Sequence, residues 1–141
     1  MFLNVVVMNR VRLRAALANE SGSAVAEFVM VVSLLTVLTL SVIQLGLALH
    51  IRNTVLDAAA EGARFAALAD SGLADGAART RDLITVALGP SYATDVEASY
   101  GQYAGHPSTE VRVVAPLPLI GLIGFERGLE VVGHAAVETL D

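Results

Sequence analysis

Glu27 is the residue in this chain best placed to do chemistry. It follows Gly22 by five positions and stands directly before an apolar run, Phe28–Leu49, of 22 residues with no charged side chain. A carboxylate at the membrane end of a spanning helix is costly unless it is paired or solvated, which marks Glu27 as a candidate for specific ion pairing. The plainer reading is an interfacial Glu that complements the positive end of the helix dipole, worth well under about 1 kcal/mol. Other chemistry is hard to assemble from the remaining residues. With no cysteine, disulfides, thiolate metal sites and cysteine nucleophiles are excluded. His50, His106 and His134 are far apart, and none has another histidine at i+3 or i+4. The glycines at 121, 124 and 128 lack dinucleotide spacing, and there is no phosphate loop or nucleophile elbow. The residues offer no cofactor site and no catalytic set.

The element that positions Glu27 is the apolar run itself. At 1.5 Å per residue it spans about 33 Å, enough for a hydrocarbon core of roughly 30 Å. Gln44 is its one strongly polar residue, and Ser33, Thr36, Thr39 and Ser41 can bond back to the helix backbone. The chain has 141 residues, is 55% hydrophobic and carries a formal charge of −5, which fits one membrane segment and one small domain. Residues 1–22 hold three arginines against one glutamate, net +2, and residues 23–141 hold six arginines against thirteen carboxylates, net −7. By the positive-inside tendency, residues 1–22 stay cytoplasmic and residues 50–141 are exported. The acidic remainder argues against nucleic-acid binding, which needs a basic stripe. A cleaved secretory signal is the competing reading, but it needs an apolar stretch of only about 7–15 residues and a nearby small-residue site. Met8 offers an alternative start that would leave a shorter basic leader.

Past the run, helical periodicity continues. Ile51, Val55, Ala58, Gly62, Phe65, Ala66 and Ala69 share one face, so a single helix can extend from near Ser23 to Ala69 as a stem of roughly 70 Å. The small-residue stripe Ala58, Gly62, Ala66, Ala69 permits close approach of another backbone, either within the domain or from a second subunit. Asp70-Ser71-Gly72 breaks the helix, and a second helix is expected over Leu73–Leu88, stopped by Gly89 and Pro90. Leu73, Ala77, Ile84 and Leu88 form its inward face. Strands are expected at Thr94–Tyr100, Val111–Ala115 and Leu129–Val137, with a loop over Gln102–Thr109. The last strand alternates Leu129, Val131, Gly133, Ala135 and Val137 against Glu130, Val132, His134, Ala136 and Glu138. These elements predict an α+β fold, a three-stranded antiparallel sheet backed by helices. The apolar, Pro- and Gly-punctuated segment 116–125 reads either as a loop over the core or as a contact with membrane or a neighbouring chain.

Three stretches carry a family resemblance: Gly22-Ser23-Ala24-Val25-Ala26-Glu27-Phe28, Gln44-Leu45-Gly46 late in the apolar run, and Asn53 followed by Ala58-Ala59-Ala60-Glu61-Gly62-Ala63-Arg64. Together they resemble type IV prepilins, and within these the TadE-like pseudopilins of the Tad (tight adherence) pilus system. Ala26 departs from the family, where valine before the Glu-Phe pair is common. The resemblance covers about a third of the chain; the C-terminal part agrees only in style. A major Tad pilin resembles the chain only in the membrane helix.

The resemblance implies a cytoplasmic leader 1–22, a transmembrane helix 23–50 and an exported α+β domain 51–141. It implies cutting by a prepilin peptidase between Gly22 and Ser23. The new ammonium at Ser23 would then lie one helical turn from Glu27, and the two charges could neutralise each other or pair between subunits. Phe28 completes that assembly signal. The implied role is a minor pseudopilin, without enzyme activity or cofactor, in the bacterial cytoplasmic membrane. The implied partners are inner-membrane lipid, the peptidase, other pilins and the Tad assembly platform. The alternative is an unprocessed, signal-anchored single-pass protein with an exported binding domain.

Overall fold

A computed structural model of the chain describes residues 2–118 and 124–137, with side chains described over 22–117 and 128–137. The chain divides into two compact units, residues 1–43 and 44–141. Helix α1 spans Phe2–Ala67 and supplies the whole described part of the first unit. Its apolar portion needs no partner element, because a helix satisfies its backbone hydrogen bonds internally.

The second unit contains the rest of α1, helix α2 (Leu73–Leu88), a short 3₁₀ turn (Pro90–Tyr92), and strands β1 (Asp95–Tyr103), β2 (His106–Pro118) and β3 (Gly124–Ala136). The strands form one antiparallel sheet in the order β1-β2-β3. The fold is α+β, as expected from the sequence. α2 has the expected limits. Asp75 Oδ2 accepts a hydrogen bond from the Gly72 N–H at 2.9 Å at its start, and the Gly89 N–H donates to Thr85 O at 3.0 Å at its end. Pro90 then stops the helix.

Three sequence expectations need correction. The long helix begins at Phe2, not near Ser23, so helix also runs through the expected leader. The loop placed over Gln102–Thr109 is a two-residue hairpin: Tyr103 pairs with His106, and Ala104 and Gly105 make the turn with φ of 52° and 83°. Positive φ at both central residues matches the right-handed twist of the flanking strands, so the ladder runs to the turn. Of the Gly and Pro signals there, Gly105 lies in the turn and Pro107 lies in β2, paired with Gln102. The helix face is also narrower than expected. Ile51, Val55, Ala58, Gly62 and Ala66 are buried, but Phe65 is 37% exposed and Ala69 lies exposed beyond the helix end.

The core of the second unit is made by Ile51, Val55, Ala59 and Ala63 of α1, Ala77 and Ile84 of α2, and Val96, Val111, Val113, Leu129 and Val131 of the sheet. The alternation read for β3 holds from Leu129 to Ala136, with Leu129, Val131 and Gly133 buried and Glu130 exposed. Between Ala115 and Leu117 the β2–β3 register shifts, at Pro116, whose nitrogen has no proton to donate. Beyond it Leu117 pairs with Phe125 and Pro118 with Gly124, so the ends of the 116–125 segment are strand. Its centre, residues 119–123, lies outside the described residues, as do residues 138–141.

Candidate functional site

The candidate site begins at Gly22. α1 passes through Gly22 and Ser23 without a break, and nothing lies within 4 Å of the position a Cβ on Gly22 would occupy. Ser23, Glu27 and Phe28 are all exposed. Ser23 and Glu27 stand one turn apart on the helix surface, the spacing at which side chains meet. Glu27 has no ion-pair partner among the described residues.

After Glu27 the helix is apolar on every side. The stretch Gly22–Ala67 is long and apolar enough to cross a membrane, and none of its most apolar window is buried within the protein. Val25, Phe28, Met30, Leu34, Leu38, Ile43 and their neighbours all face outward. A helix exposing apolar residues all round requires an apolar environment. Its hydroxyls do not disturb that surface. Thr36, Thr39 and Ser41 donate to the carbonyls of Val32, Leu35 and Val37, each at 2.8 Å.

The block Ala58-Ala59-Ala60-Glu61-Gly62-Ala63-Arg64 has a clear structural task. α1 and α2 cross with Gly62 against Gly76, so closely that a Cβ on Gly62 would overlap Thr80 and one on Gly76 would overlap Ala66. On the sheet side, a Cβ on Gly133 would fall within the backbone of Ala59 and Ala60. Gly62 and Ala66 of the small-residue stripe are therefore used inside the domain, against α2, and the adjoining backbone of Ala59 and Ala60 lies against β3, while Ala69 at the end of the stripe is exposed. Two hydroxyls fasten the same stretch of α1. Thr80 Oγ1 donates to Gly76 O at 2.9 Å and reaches Ala58 O at 3.3 Å, and Thr109 Oγ1 donates to Ala63 O at 2.7 Å. Glu61 and Arg64 point outward and pair at 3.6 Å.

Sequence reasoning missed Thr80, Thr109 and Gly76. Each is a polar or small residue at an inward position, and only the nearness of α1 explains it. Thr109 did carry a usable signal, since it continues the inward parity of Val111 and Val113.

The outward sheet face carries two polar groupings. Arg112 Nε donates to Glu130 Oε1 at 2.7 Å, and its Nη1 lies 3.7 Å from Glu97 Oε2, so one guanidinium ties all three strands. The hydrogen bond from Arg112 and its charge hold the Glu130 carboxyl below its ordinary range, and the Glu130 bond raises Arg112 further. Near the hairpin, His134 stacks on Tyr103 with ring centroids 4.8 Å apart, and its Nδ1 lies 3.4 Å from Glu110 Oε1. His106 and His134, distant in sequence, line one hollow of about 360 Å³ with Tyr103 and Ser108. Among the described residues no cluster of three or more His, Asp or Glu forms a metal-binding group.

Residues 22–64 match the family model of the TadE-like proteins, the family the sequence resembles. The matched stretch runs from Gly22, through Glu27 and the apolar run, to Arg64 at the end of the close-packed block. No curated protein and no solved structure matches the chain.

Proposed function

We propose that the chain is a minor pseudopilin of a Tad-type pilus assembly system. It is made as a membrane-anchored precursor and is cut by a prepilin peptidase between Gly22 and Ser23. The observation that carries this reading is the family match itself, which starts at Gly22 and takes in Glu27, the apolar run and the Ala-Glu-Gly-Ala-Arg block. In this reading residues 1–22 remain cytoplasmic and the α+β unit is exported, in keeping with the arginines before the apolar run. The role is structural, with no catalytic residue.

The junction supports a specific sequence of events. Gly22–Ser23 lies within α1 and is exposed, so a peptidase can reach it, but cleavage requires an extended backbone. A glycine in a helix interior lowers the cost of local unwinding by roughly 0.5–1 kcal/mol relative to alanine. Cutting then creates an ammonium on Ser23 beside Glu27, which has no ion-pair partner among the described residues. In the mature chain that carboxylate acquires this ammonium as a partner, either on its own helix or on a neighbouring subunit. Neutralising both charges favours packing of mature helices in an apolar filament and disfavours packing of the precursor.

Mass spectrometry of the mature N-terminus tests the reading. A chain beginning at Ser23, and absent when Gly22 is replaced by a bulky residue, is the expected result. Only full-length chain in cells with an active prepilin peptidase would overturn it and leave a plain signal-anchored protein.

A further inference from the structure

We propose that the α1–α2 face of the second unit is a self-association surface, on which the α2 ridge of one copy seats in the helix groove of another. This rests on the reading of the chain as an assembling subunit and names the contact it uses outside the membrane segment.

The groove, about 480 Å³, runs between α1 and α2. Ala58 and Ala60 of α1 and Leu83 and Ala87 of α2 line it, with Asp57, Glu61 and Arg64 on its α1 side. The small side chains leave room for a ridge from another helix. Such a ridge exists on the same unit. Val86 is 88% exposed, more than any other large hydrophobic side chain described, including those of the apolar run. Arg79 lies seven residues earlier and is exposed on the same face of α2, two turns away. The ridge therefore presents a cation and an apolar knob about 10 Å apart.

Charge selects the occupant. Among the described residues Arg79 has no ion-pair partner, and neither does Asp57, whereas Glu61 is engaged by Arg64. A second copy supplies both missing halves at once: its Arg79 for Asp57, and its Val86 for the alanine and leucine lining. Covering Val86 also removes an apolar side chain from water, which stabilises association.

The absence of cysteine makes the test clean. Full-length Val86→Cys is co-expressed with full-length Ala60→Cys, and in a second strain with Ala87→Cys. Membranes are oxidised with copper–phenanthroline and oxygen, which takes the two electrons released when two thiols become a disulfide. Because each chain carries one thiol, only contact between copies gives a product. A mixed dimer is expected in at least one of the two strains. Adding Arg79→Asp to all chains should lower its yield about two- to fivefold, the range for an exposed ion pair, and adding Asp57→Arg as well should restore it.

No mixed dimer in either strain, with normal cutting at Gly22, overturns the surface and leaves the pseudopilin reading intact. A Val86→Cys homodimer as abundant as the mixed one overturns the seating, because it sets Val86 against itself. Cross-links only to a different protein overturn the choice of a second copy. Mixed dimers in a chain that is never cut sustain the surface and overturn the pseudopilin reading instead.

Discussion

Glu27 and Gly133 illustrate two ways in which one residue constrains this protein. Glu27 is constrained by charge. It stands exposed before an apolar run and has no described partner, so its worth depends on what another group brings to it. If the Ser23 ammonium is that group, Glu27→Ala will still be cut after Gly22 but will assemble poorly. Mass spectrometry and electron microscopy of surface filaments would check both halves, and normal piliation would refute the pairing. Gly133 is constrained by space. Its β3 position lies under the α1 backbone at Ala59 and Ala60, and backbone atoms cannot turn aside as a flexible side chain can. Gly133→Val should therefore destabilise the unit by about 1–3 kcal/mol, the usual cost of overpacking, or prevent folding. Urea denaturation followed by circular dichroism would measure it. The inward parity of Gly133 was legible in the alternation of β3. The reason for a glycine there was not, because it depends on a helix some seventy residues away in sequence.

The elements were largely readable, for local reasons. α2 has its expected ends because Asp75, Gly89 and Pro90 act within one turn of them. The hairpin was misread because Ala104 gives no sign of a left-handed turn. Its φ of 52° is strained for an alanine, which sets up a gain on mutation. Ala104→Gly should stabilise the hairpin by about 0.5–1 kcal/mol, seen as a raised thermal midpoint with an unchanged spectrum. On the sheet, Arg112 and Glu130 give a pH dependence with a definite sign. The folded carboxyl titrates below its ordinary value, with the Arg112 hydrogen bond the leading cause. Its contribution is thus fully present above about pH 4.5, the ordinary carboxylate value, and is lost as pH falls through the depressed folded one. Both groups are exposed, so the effect is small and screened by salt. Glu130→Gln should flatten the acid limb of the stability curve, and addition of salt should flatten it in the parent chain.

For the whole molecule, the division at residue 43 has an energetic basis. Among the described residues, every member of the second unit's buried core lies at Ile51 or later. A chain beginning at Gln44 should therefore fold alone, with one cooperative transition in denaturant and the dispersed amide spectrum of an α+β domain. A molten or aggregated product would show that the core needs the earlier helix. The sequence by itself determined the membrane-capable run, the charged junction before it, the order of the described helices and strands, and the family match over residues 22–64. These depend on composition, period and short-range spacing, which a chain displays without folding. Only the tertiary structure decided what the small-residue stripe is for. Gly62, Ala59 and Ala63 meet α2 and the sheet, while Val86 and Arg79 are left facing out. A stripe of alanine and glycine fits any close backbone equally well. Which backbone approaches is settled by long-range partners such as Thr80 and Thr109, whose hydroxyls find the Ala58 and Ala63 carbonyls only once the chain has packed.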